Sequence, residues 1–159
     1  MQPDRAALVV RPAVLADVAE LAEIDAICFA AGIAYPASEL AALLNSHAVL
    51  TIVAEASAKI AGFAAMGFLP SRKLPGNRCG ELITIDVLPE FRRQHVGLQL
   101  HRALEEQLFL KNGDRLQLHV GVDNWGAIEF YRRLGYKRRE RVPRYYLDTL
   151  DAWRMEKLL

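Results

Sequence analysis

The sequence has little cysteine and no long apolar run, and both absences exclude classes of protein. Its two cysteines, Cys28 and Cys79, form neither a metal-binding spacing nor a disulfide framework. We expect no membrane-spanning helix, because no run of about twenty apolar residues occurs. The N-terminus lacks the basic start and apolar run of a signal peptide, so a reducing cytoplasm is the expected compartment.

An excess of one charge is lacking as well. The 20 Lys and Arg residues nearly balance the 19 Asp and Glu residues, and the net charge of +1 predicts no general attraction to nucleic acid or membranes. The exception is an arginine-rich segment, made of Arg132, Arg133, Lys137, Arg138, Arg139, Arg141 and Arg144. A solvated surface explains it most simply, and contact with phosphates, a ribosome or RNA is the functional interpretation.

The length of 159 residues suits one domain with a real core, and no repeat or linker divides it. Apolar periodicity predicts strands over 8–10, 49–55, 59–69, 81–88, 116–122, 136–141 and 145–157, and helices over 14–29, 39–44, 96–112 and 124–134. Ser38 is the predicted N-cap of the second helix. This order predicts one mixed α/β domain over residues 1–159.

A short basic turn joins a predicted strand to an amphipathic helix. The strand runs to Pro89, the turn covers Arg92 to Gly97, and the helix follows. The N-terminus of a helix offers unpaired backbone N–H groups and a positive dipole end, which together bind anions. The turn is therefore a candidate phosphate site.

Two motifs together resemble the Gcn5-related N-acetyltransferases (GNAT). Their pyrophosphate loop reads Arg/Gln-x-x-Gly-x-Gly/Ala; here Arg92 and Gly97 match, while His95 stands where the first glycine is usual. A strand followed by Asn, Ala-Ile-x-x-Tyr and Leu-Gly-Tyr is the second motif, matched by Asn124, Ala127, Ile128, Tyr131, Leu134, Gly135 and Tyr136. The resemblance implies a central, mostly antiparallel sheet of about seven strands with four helices.

Within this family the chain is most similar to the protein N-terminal acetyltransferases. Leu118-His119-Val120, Tyr145-Tyr146 and Tyr35-Pro36 match features of the NatE-type catalytic subunits. The ribosomal-protein alanine acetyltransferases carry Glu at the position of His119. The two subgroups therefore imply different residues as the catalytic base that deprotonates the acceptor amine. These matches are less specific than the two cofactor motifs.

The resemblance implies that acetyl-CoA is the acyl donor. The pantetheine arm would lie along Ile85, Asp86 and Val87, using free N–H and C=O groups of this strand, and the Val87 N–H would polarise the thioester carbonyl. The pyrophosphate would bind at the turn and the start of the helix after it, through Arg92, Arg93, Gln94, His95, Val96, Gly97 and Leu98. Asn124 would cap the helix that it precedes and would also touch pantetheine. A helical backbone at His95 would tolerate the β-carbon there.

The family chemistry needs a neutral amine. Deprotonation at pH 7 costs roughly 1 kcal/mol for an α-amine and 4–5 kcal/mol for lysine, so a moderate base suffices for the first. The resemblance assigns His119 as this base, Glu81 as its water-holding or orienting partner, and Tyr131 as the acid that protonates the CoA thiolate. The acceptor would bind between Tyr35-Pro36 and Tyr145-Tyr146, where tyrosines can hold a peptide backbone.

Three alternatives stay open beside transfer to a protein or peptide N-terminus. The acceptor could be a small amine or amino acid, although the basic hairpin disfavours a polycation. His95 could instead weaken turnover and leave an acyl-CoA-binding sensor. The arginine-rich segment could bind a ribosome or RNA alongside the enzymatic activity, with strong salt dependence. No metal is expected, since His47 and His101 belong to no ligand cluster. The oligomeric state stays open between monomer and dimer.

Overall fold

The computed structural model describes residues 7–30 and 32–159, so residues 1–6 and 31 of the domain expected over 1–159 lie outside this description. The described residues form seven strands and four α-helices: β1 (Leu8–Pro12), α1 (Val18–Cys28), α2 (Ala37–Asn45), β2 (Val49–Ala56), β3 (Lys59–Pro70), β4 (Arg78–Val87), α3 (Val96–Leu110), β5 (Gly113–Gly121), α4 (Trp125–Arg133), β6 (Lys137–Tyr146) and β7 (Leu150–Leu158). The expected mixed α/β architecture is confirmed.

The strands form one open sheet in the order β1-β2-β3-β4-β5-β7-β6. Antiparallel pairing joins β1 to β2, β5 to β7 and β6 to β7, while β4 and β5 run parallel. The parallel pairs extend from Arg78 opposite Gly113 to Glu81 opposite Gln117. This pairing explains why β4 begins at Arg78, earlier than the strand predicted over 81–88.

The described residues group into two compact units. The first comprises those of 1–66 and 83–106, and the second comprises 67–82 and 107–159. Helices α1 and α2 cover the core of the first unit, which contains Leu21, Ile24, Leu40, Val53, Ile60, Phe63 and Leu88. Each such side chain contributes about 1.5–3 kcal/mol on burial, so this core holds both helices in place.

Alternation along β5 organises the second unit. Leu116, Leu118 and Val120 are buried, whereas Gln117 and His119 between them are partly exposed. The register sets Leu118 opposite Met155 of β7, which is also buried. The period of two therefore places His119 on the face opposite this apolar row.

The start of α2 differs from the prediction. Pro36, not Ser38, is the N-cap: its backbone is extended, and its carbonyl accepts the N–H groups of Glu39 at 3.0 Å and Leu40 at 3.1 Å. Ser38 lies inside the first turn. Proline has no N–H to lose and its φ is already fixed, so the helix can begin directly after it.

Gly62 of β3 is required by a close approach to β4. A β-carbon at this position would lie 2.3 Å from the carbonyl oxygen of Asp86 and 3.2 Å from the Cα of Val87. Both contacts are with backbone, which cannot rotate away as a side chain would. The middle of β4 is therefore held at a distance that only glycine permits.

We expect Gly62→Ala to lower the free energy of unfolding by about 1–3 kcal/mol, because β3 and β4 must separate to admit the methyl group. Urea denaturation followed by circular dichroism measures this change. Gly126→Ala in α4 is the matched control: a β-carbon there meets no atom within 4 Å, so this variant should be as stable as the wild type or up to about 1 kcal/mol more stable. Equal stability of the two variants would show that β4 shifts at no cost.

Candidate functional site

The turn after β4 presents backbone donors at the start of α3. A 3₁₀ turn over Pro89–Phe91 leads to Arg92, and α3 begins at Val96. The first α-helical bond after the turn runs from the Gln99 N–H to the His95 carbonyl at 3.0 Å. The N–H groups of residues 96–98 precede it and have no acceptor within the helix. The geometry is that of an anion site at a helix N-terminus.

His95 does not have the helical backbone under which its β-carbon would be tolerated. Its φ is +64°, and Arg93 two residues earlier has φ +59°. Both lie in the left-handed region, which costs an L-residue about 1–2 kcal/mol and costs glycine almost nothing. This left-handed conformation explains why the GNAT pyrophosphate loop usually has glycine at this position. His95 adopts the same conformation under strain.

We expect His95→Gly to leave the affinity for acetyl-CoA equal or higher and to stabilise the fold by up to about 1 kcal/mol, the relief of strain less the entropy that glycine gains when unfolded. Isothermal titration and urea denaturation measure the two quantities. His95→Ala keeps the β-carbon and separates its effect from that of the imidazole. A large loss of affinity in both variants would identify the imidazole as a ligand of the phosphates.

The carbonyl of Val87 is engaged, unlike the free C=O expected from the sequence. It accepts a hydrogen bond from Arg92 Nε at 3.0 Å and a weak one from Cys28 Sγ at 3.6 Å. Arg92 Nη2 also lies 3.8 Å from Cys28 Sγ. The Arg92 side chain thus fastens the turn to the end of β4, which fixes the direction in which α3 starts.

Glu81 and His119 lie together in the second unit, at neighbouring positions of β4 and β5. Oε1 of Glu81 is 4.0 Å from Nδ1 of His119, and the two side chains are 34% and 17% exposed. At this separation the carboxylate acts on the imidazole through its charge. The predicted base and its predicted partner are therefore brought together.

His119 is held in its neutral form. Burial lowers its pKa, the negative charges of Glu81 and Glu140 act against this, and the positive charge of Arg154 adds to it. Arg154 is the direct cross-strand neighbour of His119 on β7. Sequence analysis missed both Arg154 and Glu140, because finding them requires the hairpin register. A histidine with a lowered pKa offers a free lone pair at neutral pH.

Both hairpin tyrosines contact His119. The ring of Tyr145 stacks on the imidazole with centroids 4.4 Å apart and an interplanar angle of 9°. The hydroxyl of Tyr146 donates to the His119 carbonyl at 3.2 Å, and the two tyrosine rings meet edge to face at 4.8 Å. Burial and the charge of Glu81 raise the pKa of Tyr145, so its phenol stays protonated.

Asn124 and Tyr131 are ordered by α4 in the same unit. The Asn124 side chain caps this helix by accepting the Ala127 N–H at 3.2 Å, which confirms the predicted cap. Tyr131 is 7% exposed and packs edge to face against Phe130 and Tyr136, with centroids 5.3 and 5.5 Å away. The packing on two rings fixes the direction of the Tyr131 phenol.

The remaining predicted acceptor residues, Tyr35 and Pro36, belong to the first unit. They precede α2, and the Tyr35 backbone N–H donates to the Asp25 carboxylate of α1. Tyr145 and Tyr146 belong to the second unit. An acceptor groove between the two pairs stays a prediction.

Several members of the arginine-rich segment are neutralised within the chain. Arg132 and Arg133 both bind Glu129, at 2.7 and 3.2 Å, and lower the pKa of Glu129 to about 2. Arg139 pairs with Glu156, Arg141 pairs with Asp151, and Arg138 lies over the Trp153 ring. This pairing favours a structural role for much of the segment. Contact with a ribosome or RNA stays a prediction.

Among residues 7–30 and 32–159, no group of three or more His, Cys, Asp or Glu side chains could hold a metal ion. Burial raises the pKa of both Cys28 and Cys79, which disfavours the reactive thiolate. None of the helices described is long and apolar enough to cross a membrane.

Known proteins that are similar to this chain indicate its family and its fold. The model of the acetyltransferase (GNAT) family matches residues 18–136. An N-alpha-acetyltransferase of Sulfurisphaera tokodaii is 28% identical over 152 residues, which are 92% of this chain and 90% of the relative. The ribosomal-protein-S18-alanine N-acetyltransferase of Escherichia coli has a similar structure, with TM-score 0.81 and 22% identity over 96% of this chain and 94% of that one. Arabidopsis thaliana NAA60, solved in complex with acetyl-CoA, gives TM-score 0.84 and 16% identity over 96% and 99%.

Proposed function

Because the chain belongs to the acetyltransferase (GNAT) family and is an acyltransferase of that type, we propose that it transfers the acetyl group of acetyl-CoA to the α-amine of a protein or peptide N-terminus. The name of the Sulfurisphaera tokodaii relative supports the α-amine, and that of the Escherichia coli enzyme supports a protein acceptor. The Arabidopsis thaliana complex supports acetyl-CoA as the donor.

The observation that carries the proposal is the half-buried imidazole of His119, which lies 4.0 Å from the Glu81 carboxylate and whose pKa is lowered by burial. An α-amine with a pKa near 7.7–8.0 needs only a modest base at neutral pH, whereas a lysine amine with a pKa near 10.4 needs a much stronger one. A histidine whose pKa lies below its usual value is matched to the first task. This match favours N-terminal amines over lysine side chains.

Acetyl-CoA supplies the activated acetyl group, and the first unit offers donors for its phosphates. The N–H groups at the start of α3 and the exposed guanidinium of Arg93 suit a pyrophosphate. Leu82 to Val87 of β4 lie beyond the last residue pair with β5, and the N–H of Val87 would polarise the thioester carbonyl. The Val87 carbonyl is used by Arg92, so pantetheine would depend on the other polar groups of this segment.

The acceptor ammonium loses two protons in the reaction. It gives the first to Nε2 or Nδ1 of His119, and Glu81 stabilises the imidazolium by its charge. The free amine attacks the thioester carbonyl carbon, and the C–S bond breaks as the C–N bond is completed. The nitrogen is then positively charged and releases its second proton to solvent, which leaves the neutral amide. Tyr131 gives its phenolic proton to the departing thiolate, since a phenol is protonated at neutral pH, and it recovers a proton from solvent before the next turnover.

Tyr35, Pro36, Tyr145 and Tyr146 are proposed to bind the acceptor. Tyrosine combines an apolar ring with a polar end, which suits a peptide backbone and an apolar first side chain. A small amine would gain less from these residues. The Tyr145 ring lies directly on the proposed base, so this residue would also set how the acceptor approaches His119.

The test is to incubate the purified protein with acetyl-CoA, a library of peptides with free N-termini and a set of small amines, and to identify the products by mass. Acetylation confined to peptide α-amines is the expected result, with His119→Ala as the inactive control. Acetylated small amines alone would move the protein to the metabolite class. Bound acetyl-CoA without any product would support the sensor alternative instead.

A further inference from the structure

Two aspartates lie buried in contact in the first unit, outside the proposed catalytic cluster. Asp25 of α1 is 0% exposed, Asp86 of β4 is 1% exposed, and their carboxyl groups lie within hydrogen-bonding reach. Thr84 Oγ1 donates to Asp86 Oδ1 at 2.6 Å, and the Tyr35 N–H donates to Asp25 Oδ2. Among the described residues, no donor reaches the buried Asp25 Oδ1 or Asp86 Oδ2.

Two adjacent carboxylates that are buried from solvent repel each other strongly. A buried acceptor atom without a hydrogen-bond donor also costs free energy. A single proton between the carboxyl groups removes both costs. Burial, followed by the contact with Asp25, raises the pKa of Asp86 to about 9, although the Thr84 hydroxyl and the charge of Arg92 act in the opposite direction. Cys28, whose thiol faces the same carboxyl from α1, has a raised pKa and is neutral.

We propose that Asp25 and Asp86 are positioning residues that share one proton and thereby tie the Tyr35 loop to the middle of β4. Asp86 lies in the strand proposed for pantetheine, and Asp25 holds the backbone of a residue proposed for the acceptor. The shared proton would therefore fix the acceptor loop relative to the donor strand. This inference rests on the proposed function for its role in catalysis, but not for the existence of the pair.

Stability provides the first test, independent of activity. Asp86 keeps its proton in the native state between about pH 5 and 8 and loses it in the unfolded state, whose pKa is near 3.9. The native state then binds one more proton, so the free energy of unfolding falls as pH rises. We expect the slope against pH to differ by one proton between the wild type and Asp86→Asn. Parallel slopes would overturn the shared proton.

Activity provides the second test. The amide of Asp86→Asn can donate an N–H to Asp25 and cannot titrate, so this variant should raise the KM for a peptide acceptor less than Asp86→Ala does. Asp86→Ala leaves Asp25 without its donor and should raise this KM about 10-fold. Because the pKa of Asp86 is raised to about 9, we expect acetyl transfer to be lost as the shared proton leaves near this pH. Thr84→Val removes the hydrogen bond that favours the charged form of Asp86, so it should move this loss to higher pH. Equal KM values in the Asn and Ala variants would contradict the positioning role.

The two proposals fail in different ways. One outcome is that no acetyl transfer occurs while the slope of the free energy of unfolding against pH still differs by one proton. This outcome would overturn the proposed function and support the proton shared by Asp25 and Asp86. If Thr84→Val transfers acetyl groups and loses activity at the same pH as the wild type, the proposed function stands and the positioning role of Asp25 and Asp86 is overturned. If Asp86→Asn does not fold, Asp25→Asn takes its place, because its amide accepts the Tyr35 N–H and donates to Asp86.

Discussion

Replacing Tyr131 by phenylalanine is expected to lower kcat by roughly 10- to 1000-fold, the loss typical of a general acid, while acetyl-CoA binding stays intact. The change deletes one oxygen and keeps the ring, so the edge-to-face contacts with Phe130 and Tyr136 persist and the fold is preserved. Steady-state kinetics with a peptide acceptor and isothermal titration with acetyl-CoA measure the two effects.

Tyr136→Phe is the matched control, because it makes the same chemical change on the neighbouring buried ring. It should leave kcat within about twofold, since no proton transfer is assigned to it. A tyrosine acid should also give an alkaline limit to the rate that Tyr131→Phe lacks. A nearly unchanged kcat in Tyr131→Phe would mean that the thiolate leaves without protonation.

Features that depend on local sequence could be predicted. The alternation of apolar residues along β5 is enough to place His119 on the other face of the strand from Leu118 and Val120. Asn124 was identified as a helix cap. Both features are set by residues a few positions apart. The order of helices and strands followed from the same short-range patterns. Start and end residues were less accurate, as at Pro36, where a proline begins the helix two residues early.

Features that depend on backbone angles or on residues distant in the sequence could not be predicted. The left-handed φ of His95 has no signature in a histidine, and the stacking of Tyr145 on His119 depends on the positions of two strands. One signal for the acid pair was present but unused. Asp86 follows the buried Leu82 and Thr84 at every second position along β4, so its carboxyl falls on the same buried face. A carboxylate at such a position requires a partner or a proton.

His119→Ala is expected to lower the rate of peptide acetylation most below neutral pH, by roughly 100-fold or more. An α-amine with a pKa near 7.7–8.0 is largely protonated there and needs a base, whereas above pH 9 it is already free. Burial lowers the pKa of His119, so the wild-type base stays unprotonated as pH falls toward 6.5. The ratio of wild-type to variant kcat/KM should therefore fall as pH rises, measured from about pH 6 to 9.5.

His47→Ala is the control for loss of a histidine, since His47 is exposed between α2 and β2 and should leave the profile unchanged. Tyr145→Phe keeps the stacked ring and should leave the acidic limb of the pH profile in place, whereas Tyr145→Leu removes the stack, exposes the imidazole and raises the pKa of His119 toward its usual value. The acidic limb of the Tyr145→Leu profile should therefore move to higher pH. A constant ratio of wild type to His119→Ala at every pH would exclude His119 as the base and leave Glu81 to take that role.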